Sequence, residues 1–236
     1  MRPYLIINGK NSNDINGLLI QDLPPISKPA MKVKTEEIDG RDGDIVTQLG
    51  YKAYDKSFNI GLYGDYDVDD VIKYFTTSGE VIFSNELGKY YNFAVYKAID
   101  FEKLLRFKTA KVTFHVQPFK YDALERAIEF TITNGRGDKF RVLNRGNLYS
   151  RPKITITGNG IIRLIINGKQ ILSLTANNQT IILDTDDYNA KDANGVLYNR
   201  QVSGDLEDIV FNAGYNSLEV RGNVSTVKVE YMSRWI

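Results

Sequence analysis

Cysteine is absent from the 236 residues, and histidine occurs once, at His115. The first absence excludes a disulfide framework, a thiolate metal site and a cysteine nucleophile, so the fold must stand on packing alone. The second leaves histidine catalysis with a single candidate, set between Phe114 and Val116 and sharing a strand face with Thr113 and Gln117. A lone histidine with no placed partner is not a catalytic constellation, and a solvated or subunit-contacting side chain accounts for it. No apolar run approaches a membrane-spanning length. The opening Met1-Arg2-Pro3-Tyr4-Leu5-Ile6-Ile7-Asn8-Gly9-Lys10 meets polar residues too soon for the apolar core of a signal peptide. Synthesis and assembly in a cytoplasm, without membrane insertion, are expected. An excess of charge is also missing: 30 basic against 29 acidic residues leave a net +1. Divided after Phe130, the chain carries 17 − 19 = −2 and then 13 − 10 = +3. Neither half has the basic surplus of a nucleic-acid or anionic-membrane binder, so no sequence-specific nucleic-acid contact is expected.

What is present reads as strand. Apolar residues make up 42% of the chain and charged residues 25%, which is ordinary globular composition. Phe58, Ile60 and Leu62 alternate with polar or glycine positions, as do Tyr91, Phe93 and Val95, then Val112, Phe114 and Val116. The period of two resumes at Ile154 and Ile156, at Ile162, Leu164 and Ile166, at Leu172 and Leu174, and at Val227, Val229 and Tyr231. Each run offers one apolar face, as half-buried strands do. Asn-Gly pairs at Asn8, Asn16, Asn134, Asn167 and Asn194 mark tight turns, and Asn167-Gly168 is the clearest hairpin. Only Val68, Val71, Ile72 and Phe75 keep helical spacing, with Asp67 as N-cap, Asp70 in the first turn and Gly79 as a stop. A single helix over about Val68 to Thr77 is predicted. Pro118 is expected to end its strand, and the turn-rich stretch from Gln117 to Tyr149 places a domain boundary near Phe130.

Motifs for chemistry fail one by one. Asp65, Asp67, Asp69 and Asp70 are explained by helix capping, and Asp184, Asp186 and Asp187 by a polar loop. Counted from Asp184, an EF-hand loop would meet Tyr188 at its fifth position and Asn189 at its sixth, where an oxygen ligand and glycine belong. Gly158-Asn159-Gly160 has Arg163 in place of a third glycine and reads as a tight hairpin turn between two strands. Arg136-Gly137-Asp138 is a chance triplet in a turn-rich linker. No catalytic residue, metal or cofactor is assigned, and the chain is expected not to be an enzyme. Fifteen tyrosines are many, and they favour interaction surfaces because a flat apolar ring carries a polar tip.

The order of these features resembles a known family. Pro24-Pro25, Gly40-Arg41-Asp42-Gly43, Phe58-Asn59-Ile60, the helix, Phe83-Ser84-Asn85, Lys89-Tyr90-Tyr91 and Gln117-Pro118-Phe119-Lys120-Tyr121 follow one another. Asn144-Arg145-Gly146-Asn147, Arg151-Pro152-Lys153-Ile154, Asn212-Ala213-Gly214-Tyr215-Asn216 and Arg234-Trp235-Ile236 complete the series. This layout is similar, over essentially the whole chain, to the distal tail protein (Dit) family, the baseplate hub of siphophages infecting Gram-positive bacteria. Glu86-Leu87-Gly88 departs from it, since an acidic-proline turn is expected before the lysine and tyrosine.

The resemblance implies assembly in the bacterial host cytoplasm and a mainly β fold, with an N-terminal β-barrel-like or β-sandwich domain over 1–130 that carries one α-helix and a projecting hairpin. A C-terminal galectin-like β-sandwich would occupy 131–236. It further implies a hexameric ring of this chain at the virion tail tip, joining the major tail protein to the tail-associated protein around a channel for DNA. The C-terminal domains would be docking points for receptor-binding proteins. Glu37, Gly40, Arg41, Asp42, Gly43 and Asp44, in the hairpin, are the expected interface residues. The competing expectation is a carbohydrate-binding adhesin using the C-terminal sandwich on cell-wall sugars, with Tyr188, Tyr198 and Tyr215 as its aromatic candidates.

Overall fold

The computed structural model describes residues 2–95, 97–124, 128–133 and 136–236, with side chains from 125 to 138 left aside. Contacts divide the chain into two compact units, Met1–Ala123 with Ile236, and Leu124–Trp235. Both are mainly β.

The first unit runs β1 (Leu5–Ile7), β2 (Lys10–Asn11), β3 (Leu18–Ile20), β4 (Met31–Glu37), β5 (Asp44–Tyr51), β6 (Tyr54–Leu62), α1 (Val68–Phe75), β7 (Gly79–Phe83), β8 (Lys89–Ala94), α2 (Phe101–Phe107) and β9 (Thr109–Asp122). Its half-barrel sheet has the order β2-β1-β7-β8-β9-β6-β3, every neighbour antiparallel, while among the described residues β4 and β5 pair only with each other. The alternating residues of β6, β8 and β9 fill one core: Phe58, Ile60, Phe93, Val112, Phe114 and Val116 are all buried, joined by Val71 and Phe75 of α1. Phe114 lies at the centre of an aromatic group, with ring centroids 4.4 Å from Phe93, 5.1 Å from Phe58, 6.3 Å from Phe75 and 6.4 Å from Phe83.

Helix α1 begins as its spacing predicts, with the Asp67 side chain accepting from the Asp69 amide. It stops at Thr76 rather than at Gly79, which opens β7. A second helix, α2, corrects the expectation of one. Asp100 caps it by accepting from the Lys103 amide, and Phe101, Leu104 and Leu105 follow at helical spacing. At seven residues, with Leu104 as its buried anchor, it is too short to stand out against the surrounding strand pattern. Pro118 does not end β9. It sits past the last residue pair of β6 with β9 and at the register shift between β8 and β9, a bulge position that proline tolerates in a sheet.

The second unit contains β10 (Ile128–Thr133), β11 (Arg136–Asn144), β12 (Lys153–Ile166), β13 (Lys169–Asp184), β14 (Asn189–Asp192), β15 (Val202–Gly204) and β16 (Gly214–Tyr231). Asn167 (φ 52°) and Gly168 (φ 80°) form the hairpin turn between β12 and β13. The Asn134-Gly135 turn lies outside the described residues.

The long strands β12, β13 and β16 pass through two half-sheets. One half adds β11 and β15, the other β10 and β14. Gly158-Asn159-Gly160 is therefore not a hairpin turn. It is a bend within β12, because the residues on both sides pair with the same two neighbours across register shifts. A Cβ on Gly158 would come 2.5 Å from the Asn223 carbonyl oxygen, so glycine permits the close approach there. Ile154 and Ile156 from one half, and Ile162, Leu164, Leu172, Leu174, Leu218 and Val220 from the other, enter a single core.

Candidate functional site

The residues expected at an interface fall at the tip of the β4–β5 ribbon. Glu37 pairs with Asp44, and the turn between them is closed by the Arg41 amide donating to the Ile38 carbonyl at 3.1 Å. Gly40 (φ 80°) and Gly43 (φ 76°) both sit in the left-handed region with open space around them, so the turn needs their backbone conformation and not their size.

Sequence reasoning missed the body of this ribbon. The register sets Val33 opposite Gln48, Thr35 opposite Val46, and Lys34 opposite Thr47. One face thus carries Met31, Val33 and Val46, and the other Lys32, Lys34 and Glu36. The apolar stripe is uncovered, Val46 being 61% exposed, with Ile38 and Leu49 also exposed. A two-stranded ribbon with one bare apolar face is marginal alone and invites a partner. The signal was the alternation Met31, Val33, Thr35, whose importance depends on nothing in the same unit covering it.

The ribbon's base, in contrast, is held. The Lys52 amide donates to the Ala30 carbonyl at 2.8 Å, and Tyr51 stacks edge-on against Phe119 at 5.7 Å. Below it, the buried Lys56 ammonium donates to the Pro25 carbonyl at 2.9 Å and lies 4.9 Å from the Tyr91 ring centroid, with the Tyr54 and Phe83 rings at 5.6 Å. Burial disfavours its charge and lowers its pKa; the Glu86 carboxylate works against that shift. Glu86 accepts from Lys120 at 2.9 Å and from the Tyr91 hydroxyl. Asn85 donates to the Pro24 carbonyl at 3.0 Å. Lys56 and Asn85 together fix the Pro24-Pro25 segment that leads into β4.

His115 is accounted for by a surface ion network. Its Nδ1 lies 2.9 Å from Asp55, which also accepts from Lys97. The Lys97 hydrogen bond, then that of His115, holds the Asp55 carboxyl down at about 2 from its ordinary 3.8. A depressed carboxylate contributes stability above its unfolded value and loses it as pH falls through the folded value. Asp55→Asn is therefore expected to lower the melting temperature at pH values above 3.8, where the stabilisation is fully present, and to converge on wild type as pH falls toward about 2. Melting curves across that range check it.

The three tyrosine candidates occupy separate elements. Tyr188, in the turn after β13, borders an open groove of about 440 Å³ with Asn199, Asp205 and Glu207. The Tyr198 hydroxyl donates to the Thr175 carbonyl at 3.0 Å, and its ring packs against the core. Tyr215, at the start of β16, is 62% exposed under the Arg141 guanidinium. Among the described residues, no group of three or more acidic or histidine side chains is placed to hold a metal.

The full-length comparison with solved structures reaches SPP1 Dit (gp 19.1), a protein presented as a paradigm of the hub adsorption apparatus in phages infecting Gram-positive bacteria. All of each chain is covered, with a TM-score of 0.66 and 14% sequence identity. The chain has the Dit fold. No family model and no curated protein matches the sequence. Structures of infectious bursal disease virus, strains Gx and Gt, align at TM-scores of 0.16 and 0.15 and 11% and 12% identity, and carry no argument. They cover 85% and 93% of this chain and 59% and 61% of theirs. The likeness to SPP1 Dit covers both units.

Proposed function

We propose that this chain is a siphophage distal tail protein, a non-enzymatic structural subunit of the baseplate hub at the virion tail tip. The observation that carries the reading is the full-length Dit fold, matched over all of both chains. In this reading, residues 1–130 build a hexameric ring that joins the major tail protein to the tail-associated protein around a channel for DNA. Residues 131–236 form a galectin-like sandwich on which receptor-binding proteins dock.

The anatomy of the first unit supports ring building. A closed ring needs two different, mutually complementary faces on each subunit. The edges of the half-barrel sheet are the short strands β2 and β3, which offer little backbone for pairing. The β4–β5 ribbon supplies two longer edges and a bare apolar stripe, which suits a reading in which its tip, Glu37 and Gly40 to Asp44, contacts the neighbouring subunit or the tube.

Native mass spectrometry of the purified chain is expected to give a six-subunit species, and negative-stain images six-fold rings. Removal of Glu37 to Asp44 with closure of the ribbon should shift the population to monomers. A wild-type chain that is monomeric at all concentrations would count against the hub reading, and rings unaffected by the deletion would remove the ribbon's assigned role.

A further inference from the structure

The second half of the chain carries 13 basic and 10 acidic residues, and four of the basic ones lie on one face of one half-sheet. The packing shows which residues those are. Phe140 and Val142 of β11 face the core, so Lys139 and Arg141 point outward. Leu218 and Val220 of β16 are buried, so Ser217, Glu219 and Arg221 point outward, and Ile162 and Leu164 of β12 do the same for Arg163. The register then assembles them: Lys139 stands opposite Glu219, Arg141 opposite Ser217, and Arg221 opposite Arg163. Four cations surround one carboxylate.

Three features give this face a specific character. Glu219 points outward and yet is only 4% exposed, paired with Arg221, so its charge is already committed. The directly opposed Arg163 and Arg221 are like charges on neighbouring strands, an arrangement that costs stability; Glu219 already offsets it at Arg221, and an anion received at Arg163 would offset it further. The Arg141 guanidinium stacks 3.5 Å from the centroid of the Tyr215 ring, which orients its edge donors in a plane and leaves the exposed tyrosine beside them.

We infer that this outward face, formed by Lys139, Arg141, Arg163, Tyr215 and Arg221, binds an acidic polysaccharide whose sugars carry carboxylates. The inference goes beyond the hub reading and does not depend on it. The carboxylate preference follows from Glu219, which shows a carboxylate received by a guanidinium of this face, and from the planar fork that guanidinium presents to a planar anion. The sugar preference follows from Tyr215, whose exposed aromatic surface suits the apolar face of a pyranose. A polymer fits because the cations are spread over three strands of an open sheet face. A nucleic-acid track is disfavoured because, outside these residues, the half of the chain that carries them is charge-balanced.

The test uses the full chain and measures binding of polygalacturonate, uncharged dextran, polyphosphate and oligo-deoxythymidine at two salt concentrations. Polygalacturonate is expected to bind in a salt-sensitive manner, and dextran not to bind. The double variant Arg163→Gln/Arg221→Gln should weaken polygalacturonate at least ten-fold, and Tyr215→Ala several-fold. Melting curves establish that each variant is folded. If the double variant unfolds, Arg163→Gln alone, which leaves the Glu219–Arg221 pair intact, decides the matter. No binding of polygalacturonate, binding indifferent to these substitutions, or tighter binding of polyphosphate or oligo-deoxythymidine would each overturn the assignment.

Discussion

Phe114→Ala is expected to lower the stability of the chain by about 3–5 kcal/mol, the cost of truncating a fully buried aromatic that the surroundings cannot collapse around. Phe114 lies on β9, between β8 and β6, so the backbone on either side is fixed by two ladders and cannot move inward to fill the space. Four aromatic rings from four elements meet it: Phe58 of β6, Phe75 of α1, Phe83 of β7 and Phe93 of β8. The substitution therefore loosens the packing of α1 on the sheet as well as leaving a cavity. Urea denaturation followed by circular dichroism measures the loss, and Phe114→Leu should recover more than half of it. A change below about 1 kcal/mol would mean that the core can repack, contrary to the density expected of protein interiors.

Glu86→Ala should cost about 3 kcal/mol, toward the lower end of the range for removing one partner of a buried ion pair. The side chains of Glu86 and Lys120 are each 10% exposed, and the same carboxylate accepts from the Tyr91 hydroxyl and draws the Lys56 charge toward it. Without it, two ammonium groups remain in a poorly solvated region with no acid between them. Glu86→Gln keeps acceptor capacity but no charge, so it should fall between alanine and wild type. Melting temperatures of the three proteins give the order, and alanine equal to wild type would mean that water replaces the carboxylate at little cost.

These two sites differ in how visible they are in the amino-acid order. Phe114 belongs to an alternating run whose core face is plain from the period of two, and the structure puts it there. Glu86 stands out only as a departure from the resemblance, in a turn. Its partner Lys120 is brought to it by the pairing of Tyr91 with Lys120 across β8 and β9, a register no local pattern encodes. The helix α1 is legible because it has a cap and four apolar residues at helical spacing, whereas α2 has a cap but a single buried anchor. Gly158 to Gly160 misleads because glycine serves a bend inside a strand as readily as a turn between strands, and only the partners of the flanking residues distinguish the two. The tip of the β4–β5 ribbon can be placed by its glycines, but its bare face cannot, since exposure depends on what the rest of the chain declines to cover. Arg141, Arg163 and Arg221 are separated in the chain and become neighbours through the sheet alone.

The bend in β12 also has a mechanical meaning. A true turn at Gly158-Asn159-Gly160 would be a place where the second unit could be cut or peeled apart, half-sheet by half-sheet. As built, β12 continues through that point with β13 on one side and β16 on the other, so both halves share the same three long strands. Tension applied along these strands is carried by two ladders in shear, and a break at the glycines would sever a girder rather than open a hinge.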